Sequence, residues 1–210
     1  MTEQDSGTES RDELEPGDLT GKAVENLDAP DAPGASGALD APDAPGAPEA
    51  LEQDAQKLIE IALKHSFTIG TAESCTGGLV AAALTSIPGA SQVYKGSVIS
   101  YSNEVKCALL DVDDGTLSQD GAVSEGVVLQ MAEGARKALK VDFAVSISGV
   151  AGPDGGSASK PVGTVWIGTA GINGKAARRY QFSGTRAQIR WAATRTALQN
   201  LLAFIQTAFR

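Results

Sequence analysis

The sequence has 210 residues and a formal net charge of −9, a length that suits one well-buried domain or two small ones. The acidity is confined to one segment: residues 1–50 hold 13 acidic and 2 basic side chains, whereas residues 51–210 hold 13 and 15, so the larger part is nearly neutral and offers no broad basic face to nucleic acid. Two cysteines outside any CxxC pair and a single histidine argue against a disulfide framework or a structural zinc, and neither a secretory signal nor a run of roughly 20 apolar residues is present.

Residues 1–50 are rich in Ala, Pro, Gly, Asp and Glu and carry no aromatic residue. The octet Asp-Ala-Pro-Asp-Ala-Pro-Gly-Ala occurs at 28–35 and again at 40–47. Proline removes backbone donors and like charges repel, so this segment is expected to be a disordered tail; an arm for a basic partner is the rival reading. Residues 51–210 then form the folded domain.

Within it, 51–65 reads as a helix with Leu51, Ala55, Leu58, Ile59 and Ala62 on one face, and His65 with Lys64 suits its C-terminus. Phe67 to Ala72 reads as a strand, Thr76 to Ser86 as a helix, Val93 to Tyr101 as a strand and 103–110 as a short helix. Ser124 is the expected N-cap of a helix reaching Leu139. Phe143 to Ser148 is an apolar strand that runs into a Gly/Pro/Ser loop at 149–161. Thr164 to Ala170 and Ala176 to Phe182 form a hairpin around Gly171-Ile172-Asn173-Gly174. Thr185 caps a long last helix. Alternating helices and strands followed by a hairpin predict a layered α/β domain with a mixed β-sheet.

Three segments can carry chemistry. Glu73-Ser74-Cys75-Thr76-Gly77-Gly78 joins a strand to a helix, where unpaired N–H groups and the positive end of the dipole favour a phosphate or an oxyanion. A nucleophile, Ser74 or Cys75, stands beside them; the same residues also read as a plain helix cap. Tyr101-Ser102-Asn103-Glu104-Val105-Lys106 places a phenol and an amine across a strand-to-helix turn. A lysine becomes a base only when burial or a nearby cation lowers its pKa; otherwise Lys106 is a solvated surface residue. Ser146 to Gly156 brings a strand into a glycine-rich loop without GxGxxG spacing, which disfavours a dinucleotide fold. With no second histidine, a Ser-His-Asp triad is not available, and a serine hydrolase here needs a lysine base. Glu73 is the acidic group next to Ser74, able to orient it or bind substrate.

Taken together, Thr71-Ala72-Glu73-Ser74-Cys75-Thr76-Gly77-Gly78, Tyr101 to Lys106, Gly121-Ala122-Val123-Ser124, Ser148 to Gly156 and Lys160 to Val165 occur in an order and spacing that closely resemble the CinA carboxy-terminal domain family, the nicotinamide mononucleotide deamidases. The likeness covers about residues 52–208. It implies an amidohydrolase that converts nicotinamide mononucleotide to nicotinate mononucleotide and ammonia in pyridine nucleotide recycling. It also implies an α/β fold, a three-layer α/β/α domain with a mixed β-sheet, as a homodimer acting on a small mononucleotide with no metal or cofactor; a cytoplasmic setting with no nucleic-acid or membrane partner is the expectation from composition. The resemblance puts the nucleophile at Ser74, its base at Lys106 and a catalytic phenol at Tyr101, the proton passing to Lys106 directly or through Tyr101. Backbone N–H groups near Thr76 and Gly77 are expected to hold the oxyanion. Substrate contacts fall on Glu73, Thr76, Gly77, Gly78, Asn103, Ser148, Gly149, Gly152, Pro153, Asp154, Gly155 and Gly156. Family members often carry Thr where this chain has Ser148. Longer relatives have an additional amino-terminal domain similar to molybdopterin-binding proteins, whose place the acidic tail takes here. Two alternatives stay open: a non-catalytic nucleotide-binding protein tied to competence or the DNA damage response, and a hydrolase of another small amide on the same scaffold.

Overall fold

The computed structural model describes residues 47–209; the expected tail lies outside the described residues except for its last four positions. Those four already belong to a helix, α1 (Ala47–His65), which begins earlier than its apolar stripe. Pro48 in the first turn costs nothing there, because that N–H has no intrahelical acceptor, and Glu49 complements the dipole.

The chain continues through β1 (Ile69–Glu73), α2 (Leu79–Thr85), a short 3-10 turn at Ala90–Gln92 and β2 (Tyr94–Ile99). Then follow α3 (Asn103–Leu110), α4 (Asp114–Asp120), α5 (Glu125–Leu139), β3 (Phe143–Gly149), the hairpin β4 (Thr164–Gly171) and β5 (Gly174–Gln181), and α6 (Arg186–Ala208). The five strands form one mixed sheet in the order β2-β1-β3-β4-β5. β1 lies parallel to both β2 and β3, while β3, β4 and β5 run antiparallel to one another.

Two apolar clusters, one on each face of the sheet, make the three layers. One gathers Leu58, Ile59 and Ala62 of α1, Val80 and Leu84 of α2 and Ile189, Ala193, Leu198 and Leu201 of α6 onto Ile69, Val145, Ile147, Val165 and Ile167. The other gathers Leu110, Leu117, Val127, Met131 and Ala135 of α3, α4 and α5 onto Ala72 and Ala144. The alternation of strand side chains fixes these memberships: Phe143, Val145 and Ile147 face one cluster, Ala144 the other. The first and last helices are tied by Asp54, which accepts from Arg195 Nε at 3.0 Å and from Gln199 Nε2 at 2.8 Å.

Several boundaries differ from the sequence reading for identifiable reasons. α2 starts at Leu79 rather than Thr76 because Gly77 and Gly78 take positive φ (59° and 98°), leaving 74–78 as a turn. Ser124 occupies the N-cap of α5, but its hydroxyl donates back to Gly121 O instead of capping. α4 was not expected; Asp113 accepts from Thr116 N–H and supports a helix of about two turns that buries only Leu117. Thr185 caps α6 in a full capping box with Gln188, as its sequence suggests.

α3 and α5 cross closely at Gly134, where an added Cβ would stand 2.6 Å from the carbonyl carbon of Leu110 and closer still to its oxygen. In an ordinary helix interior Gly→Ala gains about 1 kcal/mol. Here the sign reverses: Gly134→Ala is expected to destabilise by roughly 1–3 kcal/mol through overpacking against backbone, read as a lower urea midpoint at unchanged m-value.

Candidate active site

β1 is the sheet's second strand, paired on both sides, and its carboxyl end delivers two consecutive side chains in opposite directions. Glu73 faces the α2 layer. Its carboxylate accepts from the backbone N–H groups of Gly78 (2.9 Å), Val80 (3.2 Å) and Ala81 (2.9 Å), and it is fully buried. The carboxylate thus fills the anion-binding start of α2 that the sequence offered to a substrate. Glu73 shapes the turn; its oxygens already hold the helix.

Ser74 continues the ladder through its N–H to Ile147 O at 3.0 Å. Its side chain goes the other way, toward α3. Lys106, on the second turn of α3, reaches back to it: Nζ lies 3.2 Å from Ser74 Oγ and donates to Ser100 O at 2.8 Å. Lys106 is 1% exposed, among the largest fully buried side chains, and forms no ion pair among the described residues. Burial pushes its pKa below the ordinary lysine value, against the smaller opposing pull of nearby acidic groups such as Glu104. A neutral amine keeps one lone pair beside two N–H donors. With one N–H on Ser100 O, that lone pair is free to accept the Ser74 proton.

Cys75 is the competing nucleophile on sequence grounds. It is buried in the apolar cluster, and burial pushes its thiol up to about 12. A thiol with that pKa is protonated at neutral pH and poorly nucleophilic. Of the two candidates, Ser74 is the one with an amine within hydrogen-bond distance.

The turn after Ser74 is closed by Gly77 N–H donating to Ser74 O at 3.1 Å. Gly77 therefore is not a free oxyanion donor. Among the described residues the N–H groups of Cys75 and Thr76 are the two in this turn without a partner. Two buried hydroxyls, Thr76 Oγ1 and Ser100 Oγ, also lack partners. Each sits within two residues of a group that holds the dyad, where unsatisfied polar atoms mark a functional site more often than a flaw.

Tyr101 stands apart from the dyad. It is 62% exposed, and its Oη accepts from Arg186 Nη2 at 3.1 Å. The direct contact of Lys106 with Ser74 leaves a relay through Tyr101 without a geometric basis. Arg186 also donates from Nη1 to Gly152 O at 2.9 Å, which ties the 149–161 loop to the rim that carries Tyr101. Asn103 lies exposed at the start of α3. Ser148 is buried at the end of β3 and donates to Ala122 O at 2.7 Å, so its hydroxyl fastens the sheet to the segment before α5. On the loop, Gly149 packs against β4, Gly152 is buried, and Pro153, Asp154, Gly155 and Gly156 are exposed. Among the described residues no hydrogen bond links Asn103 or Asp154 to Ser74 or Lys106.

Two residues that contact the site's turn and loop escaped the sequence reading: Arg186 and Arg190, one turn apart at the start of α6. Arg190 Nε donates to Cys75 O at 3.0 Å and Nη2 to Thr76 O at 2.6 Å. The only local signal is a pair of cations at the N-terminal end of a helix, where the dipole disfavours them.

The CinA C-terminal domain family matches residues 51–205. The nicotinamide-nucleotide amidohydrolase PncC of Escherichia coli K12 is 54% identical over 135 residues, which is 64% of this chain and 82% of that protein. Other relatives are longer: the chain spans 36% of its counterpart in Halothermothrix orenii and 35% of the CinA-like protein of Fervidobacterium nodosum, at 45% and 46% identity. Among solved structures, the competence/damage inducible protein CihA of Agrobacterium tumefaciens superposes with a TM-score of 0.73 at 42% identity, covering 74% of this chain and 96% of that one. A CinA superfamily protein of Klebsiella pneumoniae gives 0.72 at 32% identity, covering 75% and 98%.

The lowered pKa of Lys106 gives a base role for it a definite pH sign. Phenylmethylsulfonyl fluoride is expected to label Ser74, with a rate that falls as pH drops through the Lys106 pKa, at a midpoint below that of free lysine. Lys106→Met should abolish the labelling, and iodoacetamide at neutral pH should leave Cys75 unmodified; mass spectrometry of the peptides reads all three.

Proposed function

The chain belongs to the CinA C-terminal domain family, and from that premise we propose that it hydrolyses the carboxamide of nicotinamide mononucleotide to nicotinate mononucleotide and ammonia. The observation that carries the reading is the buried, unpaired Lys106 amine 3.2 Å from Ser74 Oγ. The substrate comes from the likeness to the Escherichia coli amidohydrolase, of whose length the chain covers 82%.

The chemistry follows from the dyad. Ser74 Oγ attacks the carboxamide carbon while its proton passes to the Lys106 lone pair, and the carbonyl electron pair moves onto oxygen. The N–H groups of Cys75 and Thr76 receive that oxyanion; losing one such donor typically costs about 10²–10³ in rate. The tetrahedral centre collapses, the C–N bond breaks, and Lys106 returns the proton to the departing ammonia. Water then attacks the acyl-enzyme with Lys106 again as base, releasing the carboxylate and restoring Ser74.

The remaining contacts arrange themselves around this centre. Arg186 uses two of its five N–H donors on Gly152 O and Tyr101 Oη and keeps the others for an anion. It is the basic group beside the 149–156 loop, and it is the reading's choice for the 5′-phosphate. Tyr101 then lines the rim rather than carrying protons, and Asn103 and Asp154, both exposed, are left to the ribose. A homodimer, a cytoplasmic setting and a place in pyridine nucleotide recycling belong to the same reading, as does treating 1–50 and 51–210 as tail and catalytic domain. Among the described residues, no helix is long and apolar enough to cross a membrane.

Ammonia release from nicotinamide mononucleotide and from a panel of other small amides tests the assignment. Ser74→Ala and Lys106→Ala should each abolish turnover to a similar extent, because residues that act as a unit are non-additive, while Ser74→Ala still binds substrate. A preference for another amide would redirect the substrate; undiminished turnover by Ser74→Ala would remove the nucleophile, and binding without turnover by the intact protein would favour a regulatory role.

A further inference from the structure

Arg190 sits behind the turn that follows the nucleophile, and we propose that it is a positioning residue for the transition state: its guanidinium fixes the direction in which the Thr76 N–H points. The proposal rests on the amidohydrolase reading and deepens it.

The argument begins with the peptide plane. In a planar trans peptide the C=O and N–H of one unit point in opposite directions. Arg190 Nε draws the Cys75 carbonyl toward α6 at 3.0 Å, so the Thr76 N–H of that same unit points away from α6. Arg190 Nη2 holds the next carbonyl, that of Thr76, at 2.6 Å. The N–H of that second unit belongs to Gly77 and closes the turn on Ser74 O. The Cys75–Thr76 and Thr76–Gly77 peptide units are therefore clamped by one planar fork whose geometry matches two neighbouring oxygens.

The clamp has something to oppose. Gly77 and Gly78 both take positive φ, and glycine lets an adjoining peptide rotate at little steric cost. Rotation of the Thr76–Gly77 unit would break the bond to Ser74 O and swing a carbonyl oxygen round to where a developing oxyanion needs a donor. The fit behind the turn is also close: a Cβ on Gly77 would meet Arg190 Nη2 at 3.4 Å. Arg190 forms no ion pair among the described residues, so its charge is directed at the two peptides. Charge-assisted bonds to their carbonyls polarise them and strengthen the N–H donors on the far side. Of the two N–H groups on the far side, that of Gly77 is bonded to Ser74 O, and that of Thr76 is the free one.

The test uses Arg190→Met and Arg190→Lys in the full-length protein, with nicotinamide mononucleotide as substrate. Two probes accompany it: 3-formylpyridine mononucleotide, whose aldehyde carbon bonds to Ser74 Oγ while its oxygen takes the electron pair and Lys106 the serine proton, and nicotinate mononucleotide, which binds without bond formation. Arg190→Met should lower kcat about 10²–10³-fold, the range for one lost donor, with KM changed less than threefold. Its affinity for the aldehyde should fall by the same factor as kcat, and its affinity for nicotinate mononucleotide should hold. Arg190→Lys, which keeps the charge but not the fork, should recover part of both losses. Unchanged kcat in Arg190→Met alongside an inactive Ser74→Ala would overturn the positioning role and leave the amidohydrolase reading standing. Equal loss of affinity for aldehyde and nicotinate mononucleotide in both arginine variants, with lowered melting temperatures, would overturn it in favour of a structural role. Full activity in Ser74→Ala would overturn both.

Discussion

An amine that is 1% exposed and has no carboxylate beside it does not hold its proton as a surface lysine does. Lys106 is in that position, and its two polar neighbours are a backbone carbonyl and the hydroxyl of Ser74. Taking an isolated charge out of water is expensive enough that such groups neutralise instead. Everything about the site follows from that constraint. The pocket for the amine is built by the β2–α3 connection, with Ser100 N–H held by Glu73 O and Ser100 O turned onto Nζ. Three consecutive features of the β1 end (Glu73 carbonyl, Glu73 carboxylate and Ser74 hydroxyl) thus hold, in turn, the lysine's support, the helix α2 and the lysine itself.

The same segment shows how two anion sites are kept separate. The start of α2 is a ready receptor for negative charge, and a substrate oxyanion would compete for it. The buried Glu73 carboxylate occupies three of its N–H groups, while the two donors immediately after Ser74 stay unclaimed among the described residues. A short turn containing two left-handed glycines is what makes the separation possible. It sets the helix axis back from the nucleophile by four residues.

Much of this was legible in the sequence. The strand–turn–helix around Ser74, the lysine on 103–110 and the hairpin at Gly171–Gly174 follow from spacing and turn chemistry, and scarcity of histidine leads to Lys106. What stayed hidden has physical reasons. Glu73 looks like a ligand because its acceptors lie on a helix whose first residue depends on φ at Gly77 and Gly78, which one-dimensional pattern does not reveal. Ser148 looks like a substrate hydroxyl because its real partner, Ala122 O, is a main-chain atom 26 residues away. α4 carries one buried apolar side chain and so has no periodicity to read. Arg186 and Arg190 resemble the solvated cations of any amphipathic helix; apart from Tyr101 Oη, their partners are backbone carbonyls 34 and 114–115 residues distant, and backbone carbonyls have no residue signature.

The tie between Asp54 of α1 and Arg195 with Gln199 of α6 joins the first and last helices on one face of the sheet. α6 contributes the inner surface of one apolar layer, the partner of α1 and both arginines at the site. Release of α6 as a cooperative unit would bare that layer and free the turn after Ser74 while leaving β1, β2, β3 and α5 paired. Sub-global opening of this kind costs less than global unfolding. Catalytic competence is then a more sensitive gauge of native-state integrity than helix content, and protection of α6 amides against hydrogen exchange should track it more closely than protection of the strands.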